Sequence, residues 1–152
     1  MKKFELGNIY SIQTNKGLGL FQLVNIPEDK RNEVEMIRVS YNLYSKIPQD
    51  LENIFVSDFF YICFPVNAAL KKNLIDLVGH IDLGENYKIP RYYRTVHYLK
   101  RDEWIIIDKE NDTITPVKTL TDEQLKLSGN SVWNDTYLKE RLEEGWRLEN
   151  WK

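Results

Sequence analysis

The chain has 152 residues, which suits one domain spanning 1–152, since halves of that length would each bury too little surface to stand alone. Its 21 basic and 23 acidic side chains leave a net charge of −2, which excludes a whole-molecule field able to draw in DNA or an anionic membrane. A single cysteine, Cys63, excludes an intramolecular disulfide, and no apolar run reaches the roughly 20 residues needed to cross a bilayer.

Taken in chain order, Ile9 to Thr14 alternates as a half-buried strand, Asn15-Lys16-Gly17 is a turn, and Leu18 to Ile26 is the returning strand of a hairpin. Gly19 inside that strand predicts a bulge or a close approach. Pro27 to Asn32 is a polar turn. Val34 to Tyr41 is a third strand, with Val34, Met36 and Arg38 on one face and Glu35, Ile37 and Val39 on the other. Short links between consecutive strands predict an antiparallel meander. Tyr44 to Ile54 is irregular. Asn53 to Phe64 is β-prone and almost wholly apolar after Asp58, which predicts the centre of the sheet with Cys63 as a buried, inert thiol.

Pro65 ends that strand, Val66 to Lys72 reads as a short helix, and Leu74 to Leu83 as a strand interrupted by Gly79, closed by a turn at Gly84-Glu85-Asn86. Ile89 to Arg94 is extended, because Pro90 biases the residue before it away from helix. Trp104 to Asp108 and Thr113 to Leu120 pair across a charged turn at 109–112. Thr121 opens a short helix, with Gln124 placed to complete a capping box. Asn130 or Ser131 caps the clearest helix, running to Glu144 with Val132, Trp133, Tyr137, Leu138 and Leu142 as its apolar stripe. Gly145 stops it, and Trp146 folds back on the last turn. Many strands and one well-defined helix make an α+β fold: a strongly twisted antiparallel sheet, as a meander or partial barrel, with a C-terminal helix and short helices.

Chemistry-bearing patterns are sparse. The two histidines, His80 and His97, and Cys63 lie far apart with no paired spacing, so no metal site, cofactor or catalytic group is expected. No serine sits in a Gly-x-Ser-x-Gly turn, and Gly17-Leu18-Gly19 lacks the third glycine and long helix of a phosphate cradle. An enzyme reading rests on His80 with Asp76 or Asp82 in reach, in a deep pocket.

One segment stands out. Tyr87 to Arg101 carries Lys88, Arg91, Arg94, Lys100, Arg101, His97 and four tyrosines, with no acid. Three readings are open: tyrosines packing inward beside solvated cations, a protein-contact surface, or base stacking with phosphate pairing. The acidic stretch from Glu103 to Glu123 either receives a basic partner or simply solvates turns. The expected partner-contacting residues are Arg91, Tyr92, Arg94, His97, Tyr98, Arg101, Glu103, Glu110 and Asp112.

The opening Gly7-Asn8-Ile9-Tyr10-Ser11-Ile12, a turn, then Gly17-Leu18-Gly19-Leu20-Phe21-Gln22-Leu23-Val24 resembles the immunity protein 26 family of bacterial polymorphic toxin systems. Leu77-Val78-Gly79-His80-Ile81-Asp82-Leu83, followed by Pro90-x-Tyr92, is similar to that family's second block. Asn8 stands where the family usually has an acid, and no tryptophan precedes Gly79. The resemblance covers most of the first two thirds of the chain. It implies an intracellular antidote that binds and blocks a cognate toxin, with the matched glycines and apolar positions as fold-makers and no catalytic residues. The lysine-rich start, without the apolar segment of a signal peptide, agrees with a cytoplasmic location.

Overall fold

The alternating and turn-bounded segments of the sequence become, in a computed structural model, eight strands and three α-helices among the described residues, which are 2–29, 31 and 33–152. The strands are β1 (Asn8–Thr14), β2 (Gly17–Asn25), β3 (Met36–Ser40), β4 (Phe59–Cys63), β5 (Asp76–His80), β6 (Tyr92–Val96), β7 (Trp104–Asp108) and β8 (Thr113–Val117). The helices are α1 (Val66–Lys71), α2 (Asp122–Leu125) and α3 (Asp135–Glu143). The fold is α+β, with two antiparallel sheets: β4-β3-β2-β1-β5 and β6-β7-β8. Both are open. Where the sequence offers no linker, the fold has two compact units, Met1–Tyr87 with Val132–Trp146, and Lys88–Ser131 with Arg147–Lys152.

The first unit is the expected meander, extended by one strand. β1 to β4 pair in sequence order, and β5 joins the free edge of β1. Cross-strand registers give each face its own chemistry. Tyr10, Phe21, Val39 and Phe60 form one transverse row, all buried. α3 sends its buried Leu138 and Leu142 inward, and Leu142 lies where a side chain on Gly19 would stand. Gly19 is therefore a close approach. The bulges fall elsewhere, between Ile9 and Tyr10 and between Leu23 and Asn25. On the opposite face the row is Ile9, Gln22, Arg38 and Tyr61, beside a cluster in which Tyr44, Leu51 and Phe55 pack on Ile9 and Leu20.

Three expectations change. β4 lies at an edge of its sheet, not the centre. Its apolar character is used by other chain: Val132 bridges Cys63, the Trp133 N–H donates to the Cys63 carbonyl at 3.0 Å, and Phe60 packs against Trp133, Trp146 and Tyr41. A covered edge needs no further strand. Cys63 itself is half-buried. The C-terminal helix begins at Asp135, with the Asn134 carboxamide oxygen accepting from the Tyr137 N–H at 2.8 Å, because Val132 and Trp133 are spent on β4. Its far end follows the expectation. Gly145 takes φ +71, its N–H donates to Leu142, and the Trp146 N–H donates back to Arg141 at 3.0 Å, a Schellman closure. The polar turn expected over 27–32 includes Lys30 and Asn32, which lie outside the described residues.

In the second unit β7 is central, and β8 is an edge strand carrying Pro116, which cannot donate to a further neighbour. The other edge is closed by backbone: Arg94 N–H donates to Ser128 at 3.0 Å, and Asn130 N–H to Arg94 at 3.1 Å. α2 starts at the predicted capping box, with Thr121 and Gln124 exchanging bonds of 3.0 and 3.1 Å. No helix of the described residues is long and apolar enough to cross a membrane.

Candidate functional site

β6 runs out of its sheet at Val96 into a loop that returns at Trp104, and the loop carries its own scaffold. The His97 N–H donates to the Glu103 carbonyl at 2.9 Å, and the Glu103 N–H to the Lys100 carbonyl at 2.8 Å. The Nδ1 atom of His97 accepts the N–H groups of Leu99 and Lys100, both at 3.1 Å, which puts the ring proton on Nε2. Lys100 reaches Glu103 at 3.7 Å. The His97 ring stacks on Tyr98 at 5.1 Å between centroids and 18° between planes. At the tip, Tyr98 is 74% and Leu99 75% exposed. The loop thus holds two adjacent large side chains out of the core on fixed backbone bonds, and Arg101, two positions on from Leu99, is also exposed.

The other expected contact residues divide by burial. Arg94 is 0% exposed and is withdrawn as a partner-contacting residue. Its guanidinium lies 4.8 Å from the ring centroid of Trp104 and 4.5 Å from that of Trp151. It donates to the carbonyls of Leu127 at 3.1 Å, Leu125 at 3.1 Å, Leu148 at 2.8 Å and Trp151. Four carbonyls and two indoles consume it. Tyr93 is buried, the inward tyrosine of the pair, whereas Tyr92 is exposed beneath the Arg91 guanidinium at 5.0 Å.

Arg91 is neutralised. Its Nε and Nη2 donate to the two carboxylate oxygens of Asp108 at 2.8 and 2.9 Å, and Nη1 lies 3.2 Å from Glu110. Asp108 also accepts the N–H groups of Glu110 at 3.0 Å and Asn111 at 3.3 Å, so it organises the β7–β8 turn. These bonds, the Arg91 guanidinium first, hold its carboxyl well below the ordinary value of 3.8, and Arg91 is raised in return. Asp112 is exposed at φ +53 in that turn. Thus the acidic residues Glu103 and Glu110 each pair with a cation of the basic segment itself.

His80 lies in the first unit with both nitrogens engaged: Nδ1 on the Asn8 carboxamide oxygen and Nε2 on Asp82, each at 2.8 Å. Asn8 is turned by its own bonds, its Nδ2 donating to Lys2 at 2.8 Å and to the Tyr10 hydroxyl at 3.3 Å. The Asp82 carboxylate is 92% exposed. Asp76 stands four positions along the strand, about 13 Å away at ordinary strand rise. A pocket of about 270 Å³ in this unit is lined by Phe4, Glu35, Pro65 and Lys71 among others, and no histidine or cysteine borders it. No group of three or more His, Cys, Asp or Glu side chains converges as metal ligands among the described residues.

Two features escaped the sequence. Leu99 carries no local signal of its exposure, which follows from the fold of the loop. Arg38 reads only as one position on a face of the third strand, because its surroundings come from distant segments.

The chain was compared with protein-family models, with curated proteins and with solved structures. It matches none of them.

Proposed function

We propose that this protein works by binding another protein, as a cytoplasmic antidote that seats on a toxin domain and blocks it, with no catalysis of its own. The observation that carries the reading is the Tyr98–Leu99 tip. Binding energy concentrates in a few large, well-placed side chains, and a loop already held in shape loses little entropy on docking. Tyr98 supplies an amphipathic ring, Leu99 an aliphatic anchor, and Arg101 a cation for an acidic rim on the partner. The resemblance carried by Gly7 to Val24 and Leu77 to Tyr92 supports the antidote reading in particular. Nucleic acid is the weaker fit, since Arg94 is buried, Arg91 is neutralised and Lys100 is paired.

The test is affinity for the toxin domain encoded beside its gene, measured by calorimetry for the native chain and for Tyr98→Ala and Leu99→Ala. Each truncation is expected to weaken binding roughly 30-fold, the effect of losing a hot-spot residue worth about 2 kcal/mol. Unchanged affinity in both variants removes the loop from the interface. Absence of any binding removes the antidote reading. Salt-sensitive binding of single-stranded RNA that is lost in Tyr98→Ala and Arg101→Ala overturns it in favour of nucleic acid.

A further inference from the structure

Arg38 is held unlike the other half-buried arginines. Arg91, Arg141 and Arg147 each meet a carboxylate at 2.6–3.0 Å. Arg38 pairs with none among the described residues. Its Nε donates to the Gln22 carboxamide oxygen at 2.8 Å, and Gln22 is itself fixed, its Nε2 donating to Gly7 at 3.0 Å and to Ile81 at 2.8 Å. That network decides which way the Gln22 amide points. Three rings close around the guanidinium: Phe55 at 5.4 Å, Phe59 at 5.3 Å and Tyr87 at 5.3 Å. Tyr87 is tied in turn to Tyr61, hydroxyl to hydroxyl at 2.7 Å.

Rings satisfy the faces of a guanidinium, not its N–H edges. Nη1 and Nη2 of Arg38 donate to no described residue, and neither is sealed, since among the described residues the one fully buried side-chain polar atom without a hydrogen bond is Arg141 Nε, which keeps only its ion pair with Glu144. The remaining edge of the fork is therefore oriented, only part-solvated and open. Two parallel N–H donors match an anion with two coplanar oxygens.

We infer that Arg38 and its ring frame form a binding site for the oxyanion of a small molecule, a carboxylate or a phosphate, carried on an apolar body that lies against Phe59 and Tyr87. The site is independent of the Tyr98–Leu99 tip.

The test is an NMR titration of the full chain with benzoate, acetate and inorganic phosphate at constant ionic strength, following the Arg38 Nε–Hε and Tyr87 ring signals. Saturable shifts with a dissociation constant of about 1–10 mM are expected for at least one anion, within reach of so small a ligand. Benzoate binding tighter than acetate assigns the carboxylate source and the ring contact, while saturation by phosphate alone assigns the phosphate source. Arg38→Met is expected to lose at least about tenfold in affinity, and Arg38→Lys, which keeps the charge but not the fork, to lose most of that. Tyr98→Ala should bind the anion unchanged, which separates this site from the docking loop. Shifts that sodium chloride reproduces, that never saturate, or that survive in Arg38→Met overturn the inference.

Discussion

Arg94 and Arg91 sit three positions apart on one extended segment, and the tertiary environment gives them opposite work. Arg94 is an internal clamp whose four acceptors belong to the α2 end and the C-terminal segment. Removing it strands carbonyls and leaves a gap beside the Trp104 and Trp151 rings, which touch each other edge to face. Arg94→Met is expected to lower stability by roughly 3 kcal/mol or more in urea unfolding, from unsatisfied buried acceptors alone. Arg94→Lys should rescue little, because one ammonium cannot serve that set. Arg91 acts through charge. The Asp108 carboxyl is held below its ordinary value in the folded chain, so its pairing stabilises above 3.8 and that contribution is lost as pH falls through and below 3.8. The difference in unfolding midpoint between the native chain and Arg91→Ala should accordingly be full at pH 7 and shrink steadily below pH 3.8. Tyr10 has the opposite sign. Burial pushes its phenol above 10.0, so the neutral form stabilises below pH 10 and is lost above it. Spectrophotometric titration should show a late-titrating tyrosine that Tyr10→Phe removes.

At the scale of elements, local grammar and long-range contact compete, and α3 shows both. Its C-terminal stop obeys local grammar, since Gly145 at φ +71 satisfies the Schellman bonds that an L residue would strain. Gly145→Ala should cost about 1 kcal/mol or somewhat more. The start does not follow the apolar stripe. Val132 and Trp133 carry the right spacing for a helix, but Val132 pairs with Cys63 and Trp133 covers Phe60, so the helix waits for Asn134. Cap replacement reads this directly. Asn134→Ala is expected to cost about 1 kcal/mol and Ser131→Ala far less, by thermal unfolding; the reverse order would place the helix start at the earlier residue. β4 carries the same lesson. Its apolar run reads as a central strand, and it reaches burial at an edge by taking its cover from aromatic side chains of the 132–146 segment.

For the molecule as a whole, both compact units are discontinuous in sequence. The first is completed by Val132–Trp146 and the second by Arg147–Lys152. Within each, the late segment is internal packing: Leu138, Leu142, Trp133 and Trp146 in one, Leu148 and Trp151 in the other. A chain ending at Ser131 should therefore lose cooperative unfolding and bind a hydrophobic dye, as the cover of β4 and two of the four acceptors of Arg94, those of Leu148 and Trp151, leave together. A truncated chain that still unfolds sharply would show that neither unit depends on its returning segment.

The α+β class, the β1–β2 hairpin, the β7–β8 pair across its charged turn, the Thr121–Gln124 capping box and the Gly145 stop were all legible in the sequence. Each is set by residues within a few positions of one another, where alternation, turn chemistry and cap bonds act without help. The sequence also marked the Tyr87–Arg101 segment as unusual. Only tertiary structure sorted that segment into a buried Arg94, a neutralised Arg91 and an exposed Tyr98–Leu99 tip, because burial and pairing there depend on Trp151, Leu148, Asp108 and Glu103, all brought in by the fold. The same holds for Arg38: a lone cation in an apolar strand is visible in the chain, but the rings of Phe55, Phe59 and Tyr87 and the bond to Gln22 exist only once distant segments meet.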